Sequence, residues 1–204
     1  GAEVAPQLIA HRRARAIVSV AAQTAAPPDR FFDSNGVQIR YVEQGAGPPV
    51  VMLHGYTGTL DRHFVANGVF ATIAKDHRAI AMDLRGHGRS AGHRAHLTRF
   101  SQLLGDLQAF RRAVRQRTSA PQVLLGHGFG GLVVLRYLET QPPDALHAAV
   151  VTSPFLGPAT AIPYWKQMAS RLCADLWPTV PFALGREPDH VSRDPAVTAA
   201  YAAD

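Results

Sequence analysis

Four short apolar runs recur along the chain, each bounded by turn-forming or charged residues. They cover residues 50–53, 79–82, 122–125 and 148–151, and helix-compatible segments separate them. Continuous apolar strands are typical of parallel sheets, which are buried on both faces, and parallel neighbours need long crossover connections. The pattern therefore predicts an α/β fold: a mostly parallel sheet with helices on both faces, in which these four runs are neighbouring strands.

Further elements are predicted around these strands. The dipeptide Asn35-Gly36 lies between two strand-like runs and indicates a hairpin, with Val37, Ile39 and Tyr41 alternating on one face. Helices are predicted over residues 61–74, 97–114 and 132–139, and from Pro163 onward. Chemistry in such sheets collects at the carboxyl ends of the strands, which here carry the tripeptides HGY, DLR, GHG and TSP.

Three segments differ in composition. Residues 1–29 are basic and then alanine-rich, and they are predicted to be a disordered tail or an export-signal-like segment, which leaves both cytoplasm and export open. Residues 30–153 carry the pattern of strands and helices and form the predicted core. Residues 154–204 are proline-rich and contain an amphipathic helix, so they are predicted to be a lid or cap, or simply to pack on the core.

Composition limits the classes of function. A chain of 204 residues, 47% of them hydrophobic, suits a single domain with a substantial core. The net charge of +6 comes mainly from arginines spread over many segments, so no nucleic-acid partner is predicted. Because Cys173 is the only cysteine and no cluster has metal-ligand spacing, no metal or other cofactor is predicted. No apolar run reaches the roughly 18 residues of a stable membrane span.

The stretch QVLLGHGFGGLVVLRYL combines an apolar strand, a glycine-rich turn and an apolar helix. Its spacing Gly126-x-Gly128-x-x-Gly131 fits a dinucleotide-binding turn, in which backbone N–H groups approach a pyrophosphate. That interpretation also expects a carboxylate at the end of the following strand, which reads VVTS. In the other interpretation the turn is a nucleophile elbow of the G-x-S-x-G type, with Gly128 in place of the serine.

The segments HGYTGT, DLRGHGRS and GHGFGG follow one another at the ends of three predicted strands. Together they resemble the α/β-hydrolase superfamily, over roughly Arg30 to Asp204. The part up to about Ser90 is similar to epoxide-hydrolase-type enzymes. The remainder is similar to the monoacylglycerol lipase and lysophospholipase branch, which is serine aminopeptidase-like. The resemblance implies an α/β-hydrolase fold truncated after the strand at 148–151 and the start of the lid.

The resemblance also implies roles for the residues at the strand ends. Gly128 occupies the nucleophile position, where a side chain is needed for attack and glycine offers none. The backbone N–H groups of Tyr56 and Phe129 would be the oxyanion donors. Three neighbouring residues would line the binding site: His54, Gly55 and His127.

The acid and the base of a catalytic triad follow the nucleophile in this superfamily. His190, with Asp175 or Asp189, is the candidate pair that fits this order. Ser153, at a strand end, is either a stray nucleophile or a residue that caps the strand.

The leading functional hypothesis is a carboxylic ester hydrolase of the monoacylglycerol lipase or lysophospholipase type, inactive as written, with a small ester or lipid-like ligand. One alternative is a pseudoenzyme that binds a ligand or a partner without catalysis. A second is nucleotide binding at the turn from Gly126 to Gly131. If the final strands are absent, the edge at 148–151 is unpaired, which predicts a dimer, another partner or poor solubility, or else cover by the lid-like segment.

Overall fold

The computed structural model describes residues 27–140, 146–157 and 163–176, together with residues 194, 195, 198 and 199. One compact unit ends at Tyr164, and a second begins at Trp165. The strands are β1 (Arg30–Ser34), β2 (Val37–Gln44), β3 (Pro49–Leu53), β4 (Arg78–Met82), β5 (Gln122–His127) and β6 (Leu146–Thr152). The helices are α1 (Val69–Ile73), α2 (Ser101–Arg115), α3 (Phe129–Thr140) and α4 (Tyr164–Leu176), and Asp61–Val65 forms a π-helical turn.

The six strands form one sheet in the order β1-β2-β4-β3-β5-β6. β4, β3, β5 and β6 run parallel, whereas β1 and β2 are antiparallel to their neighbours. Leu53 at the end of β3 pairs with Met82 of β4 and with Gly126 of β5. The four predicted runs are therefore parallel neighbours, as the sequence predicted, and their carboxyl ends meet at one edge.

The predicted hairpin joins β1 to β2. Asn35 and Gly36 both have positive φ, 54° and 81°, which is the combination that a type I′ turn requires. Ile39 and Tyr41 of β2 are buried in the core, and Val37 packs against it. The Asn-Gly signal and the alternation after it were therefore sufficient to place this hairpin.

Helices cover both faces of the sheet. On one face, α2 and α3 contribute Leu107 and Val133 to the larger core cluster. On the other face, Phe64 of the π-helical turn and Phe70 of α1 pack with Met52 of β3 in the second cluster. This two-sided cover buries the whole of β3 and all of β4 except its first residue, Arg78.

Several predicted bounds were wrong. The helix predicted over 61–74 is split in two, because Gly68 adopts φ 79° between its halves. α2 begins only at Ser101, so Leu97 precedes it, and α3 begins earlier than predicted, at Phe129.

The strand at 148–151 was expected to be buried, but β6 is largely exposed. Within the described residues β6 is the edge of the sheet, with hydrogen bonds only to β5.

Candidate functional site

Gly128 lies at the tight turn between β5 and α3, where the sequence placed the nucleophile position. Its φ of 56° is in the left-handed region, which glycine adopts at little cost. The turn is held from both sides, since the Gly128 N–H donates to Thr152 O at 3.0 Å and the Phe155 N–H donates to Gly128 O at 3.0 Å. Apart from its chain neighbours, the one atom of the described residues within 4 Å of a Cβ added at Gly128 is Gly55 Cα, at 3.4 Å. The turn therefore has room for a small side chain that this sequence lacks.

The neighbouring glycines are explained by close packing. A Cβ on Gly126 would lie 2.6 Å from Gly130 O, and one on Gly130 would lie 2.3 Å from Leu53 O. The Gly130 N–H donates to His54 O at 3.0 Å, and the Gly128 N–H is also used within the fold. These two amides are thus unavailable to a phosphate, and the nucleotide interpretation loses its main support.

Two other amides at the site make no hydrogen bond within the part of the chain that the structure describes. They belong to Tyr56 and Phe129, the residues that the resemblance implied as oxyanion donors. Tyr56 lies in a turn closed by a 3.1 Å hydrogen bond from the Gly58 N–H to Gly55 O, and Phe129 is the first residue of α3. The rings of Tyr56 and Phe129 are in edge contact, with centroids 5.4 Å apart. Both amides could therefore donate to an oxygen atom of a ligand.

His54 is completely buried directly after β3. Its Nδ1 lies 2.8 Å from Gly55 O, and its Nε2 lies 3.0 Å from the Leu84 backbone nitrogen. A carbonyl can only accept and an N–H can only donate, so the ring is neutral with its proton on Nδ1. Burial lowers the pKa of His54 to about 4. Backbone groups occupy both ring nitrogens, which leaves neither of them for a ligand, although the sequence had suggested His54 as a binding residue.

An ion network centred on the buried side chains of Arg40 and Asp83 adjoins the loop that follows β3. The Arg40 guanidinium contacts the carboxylates of Asp29 at 2.6 Å, Asp61 at 2.6 Å and Asp83 at 3.0 Å. Asp83 also accepts the Leu60 backbone N–H at 2.8 Å. Burial opposes the charge of Arg40, but its hydrogen bonds to the three carboxylates outweigh burial and raise its pKa. The network thereby joins β2, the end of β4 and the loop after β3.

His63, in the π-helical turn, was not singled out by the sequence analysis. Its Nδ1 accepts the Gly55 backbone N–H at 3.0 Å, and its ring meets the His127 ring edge-on at a centroid distance of 5.3 Å. His127, which precedes Gly128, places its Nδ1 3.0 Å from Thr152 Oγ1. No motif or spacing marks His63, because its contact with Gly55 depends on how the intervening turn folds back.

Of the side chains of the other sequence candidates, the structure describes that of Ser153, which follows Thr152, the residue whose O accepts the Gly128 N–H. His190 and Asp189 lie outside the described residues, as does the side chain of Asp175. Ser153 is exposed at the end of β6 with φ 44°, an unusual value for a residue other than glycine. Among the described residues, no group of three or more His, Cys, Asp or Glu side chains could hold a metal ion. None of the described helices is both long and apolar enough to cross a membrane.

Comparison with known proteins agrees with the strand-end motifs. The family model described as serine aminopeptidase, S33 matches residues 47–204. A monoacylglycerol lipase of Mycolicibacterium smegmatis is 33% identical over 157 residues, which is 76% of this chain and 54% of the lipase. An epoxide hydrolase of Caballeronia sordidicola is 35% identical over 99 residues, or 48% of this chain and 28% of that enzyme.

A solved structure shows the same similarity in three dimensions. The crystal structure of Paleococcus ferrophilus monoacylglycerol lipase superposes with a TM-score of 0.63 at 25% identity, covering 81% of this chain and 62% of the lipase. The chain thus spans about half to three fifths of the length of these two lipases.

Proposed function

The chain belongs to the serine aminopeptidase S33 family, within the α/β hydrolases and with monoacylglycerol lipase-like character, and from this premise we propose that it binds acyl esters without cleaving them. The observation that supports the proposal is the turn at Gly128. It has the left-handed φ and the open space suited to a nucleophile elbow, and it carries no hydroxyl. The proposed ligand is a small or lipid-like carboxylic ester, the class to which monoacylglycerols belong.

The chemistry of the site separates binding from catalysis. The amides of Tyr56 and Phe129 could hold an ester carbonyl oxygen by hydrogen bonds. Cleavage by acyl transfer needs in addition a hydroxyl that loses its proton to a base as it attacks. Gly128 supplies no hydroxyl, so no acyl intermediate can form at this position. His190 remains a predicted base only.

The experiment compares Gly128→Ser with Gly128→Ala, which adds the same Cβ without the hydroxyl. We expect no stoichiometric labelling of either variant by a fluorophosphonate probe and at most a trace of short-chain ester hydrolysis. Oxyanion donors and binding without a triad leave only about 10³ to 10⁴ over the uncatalysed rate.

Binding is measured on the unmodified chain by calorimetric titration with a short-chain monoacylglycerol below its critical micelle concentration. Saturable binding without glycerol release supports the proposal, and the absence of binding refutes it. Rapid, complete labelling of Gly128→Ser, with Gly128→Ala unlabelled, would show that a base reaches the site. The chain would then be an enzyme inactivated at one position.

We also propose that the edge of β6 pairs with a strand of a second chain. Along β6 only one side is hydrogen-bonded within the described residues, and Val150 is 45% exposed. An exposed apolar edge strand is a template for pairing, and a charged side chain on it opposes pairing. In sedimentation velocity we expect concentration-dependent association of the native chain and a monomer for Val150→Lys. A native chain that stays monomeric at all concentrations contradicts this proposal.

A further inference from the structure

His63 fills the inside of the turn that presents the Tyr56 amide. Its Nδ1 accepts the Gly55 N–H at 3.0 Å, and Gly55 O accepts the Gly58 N–H at 3.1 Å, so the imidazole and the turn are joined at one residue. Gly55 and Gly58 are buried, whereas Tyr56 and Thr57 between them are exposed. The imidazole therefore contacts the buried residues of the turn, and Tyr56 is one of the two exposed residues between them.

Both glycines of this turn leave room for the ring. A Cβ on Gly58 would lie 2.3 Å from His63 Cε1, and a Cβ on Gly55 would lie 3.1 Å from the same atom. Contacts this short mean that a side chain at Gly58 would displace the imidazole. The two glycines of HGYTG thus leave space for the ring of His63, which lies eight residues after Gly55.

The turn also lies beside Gly128. A Cβ at Gly128 would lie 3.4 Å from Gly55 Cα, and the His63 ring packs on that of His127. A residue that fixes Gly55 therefore fixes the distance between the Tyr56 amide and the Gly128 turn.

We propose that His63 is a positioning residue: its neutral imidazole holds the Gly55–Gly58 turn so that the Tyr56 N–H stays free to bind an oxygen atom of the ligand. The inference rests on the proposed function for the identity of that ligand. The coupling of His63 to Gly55 does not depend on the proposed function.

The coupling has a spectroscopic signature because Nδ1 can accept only while it is unprotonated. Burial, followed by the charges of His127 and Arg62, lowers the pKa of His63 below its ordinary value of 6.5. His54 is the other titratable group facing the ring, at a centroid distance of 6.1 Å. Near neutral pH the bond is intact. As the pH falls through the pKa of His63, the Gly55 amide must lose its acceptor.

The test follows the Gly55 amide by ¹H–¹⁵N NMR and hydrogen exchange in the native chain and in three variants. His63→Asn keeps an acceptor oxygen where Nδ1 lies and cannot titrate, whereas His63→Leu has no acceptor, and Gly58→Ala displaces the ring. In the native chain we expect the Gly55 resonance to titrate together with the His63 ring. Exchange at Gly55 should rise about tenfold in His63→Leu and Gly58→Ala and stay within about twofold of native in His63→Asn, as loss of one hydrogen bond implies.

The same variants are titrated with the short-chain monoacylglycerol. Positioning predicts weaker binding by His63→Leu and near-native binding by His63→Asn. A Gly55 amide that ignores His63 titration, or His63→Asn behaving like His63→Leu, overturns the inference even if the native chain binds ester. If Gly55 follows His63 but the native chain binds no ester, the proposed function fails and the coupling of His63 to the turn stands.

Discussion

The buried imidazole of His54 should make the free energy of unfolding of the unit that contains the sheet depend on pH within a defined range. In the folded chain the pKa of His54 is about 4, because burial disfavours the cation and Nε2 already accepts the Leu84 N–H. In the unfolded chain the ordinary value of 6.5 applies. Between these values the unfolded chain binds more protons than the folded chain, so stability falls as the pH is lowered from about 6.5 to about 4.

The size of the effect follows from the same two values. Each pKa unit corresponds to about 1.4 kcal/mol, so a folded value of about 4 against 6.5 corresponds to about 3 kcal/mol. That contribution is fully present above pH 6.5 and is lost by about pH 4. Domains are stabilised by only about 5 to 15 kcal/mol, so one histidine would remove a measurable fraction of the total.

The variant His54→Gln isolates this contribution. Glutamine can offer Oε1 to the Leu84 N–H in place of Nε2, but it gains no proton over this range. At pH 7 the variant should be less stable by about 1 kcal/mol, because Gly55 O loses its donor. On acidification the native chain should lose about 3 kcal/mol more than the variant, so that their order of stability reverses near about pH 6 and the native chain is the less stable by about 2 kcal/mol near pH 4.

The assay is urea unfolding at a series of pH values from 7 to 4. Far-UV circular dichroism is the suitable probe, because it follows the helices and strands of the unit that contains the sheet directly. Titration of the His54 ring by NMR gives the folded pKa independently. Parallel pH profiles for the native chain and His54→Gln, or a His54 pKa near 6.5, would refute this account of the buried ring.

Two glycine substitutions make a matched pair for the packing of the site. Gly130→Ala places a Cβ 2.3 Å from Leu53 O, which forces α3 away from β3, and we expect a loss of about 1 to 3 kcal/mol in urea unfolding. In Gly105→Ala, in α2, the new Cβ meets no atom of the described residues within 4 Å outside the helix's own backbone, and the change should stabilise by about 0.5 to 1 kcal/mol through the better helix propensity of alanine. Equal effects of the two would contradict the close approach at Gly130.

Local sequence patterns determined the elements that depend on nearest neighbours. The Asn35-Gly36 dipeptide specified a turn with positive φ at both residues, and the apolar runs at 50–53 and 79–82 specified strands that are covered on both faces. The absence of a nucleophile at Gly128 was also plain from the sequence, because no tertiary contact can supply a missing side chain. These features could be predicted because they depend only on the spacing of apolar residues along the chain and on the chemistry of single residues.

Tertiary structure decided which distant groups meet. Arg40 lies 43 positions from Asp83 and 21 from Asp61, yet the sheet order places β2 beside β4 and joins all three in one network. The tautomer of His54 follows from backbone groups on two different strand ends, and the contact of His63 with Gly55 follows from a π-helical turn. The spacing of apolar residues and the identity of turn residues do not reveal such partners. The distances between side chains far apart in the sequence are set by crossovers and turns, and only once the sheet has formed.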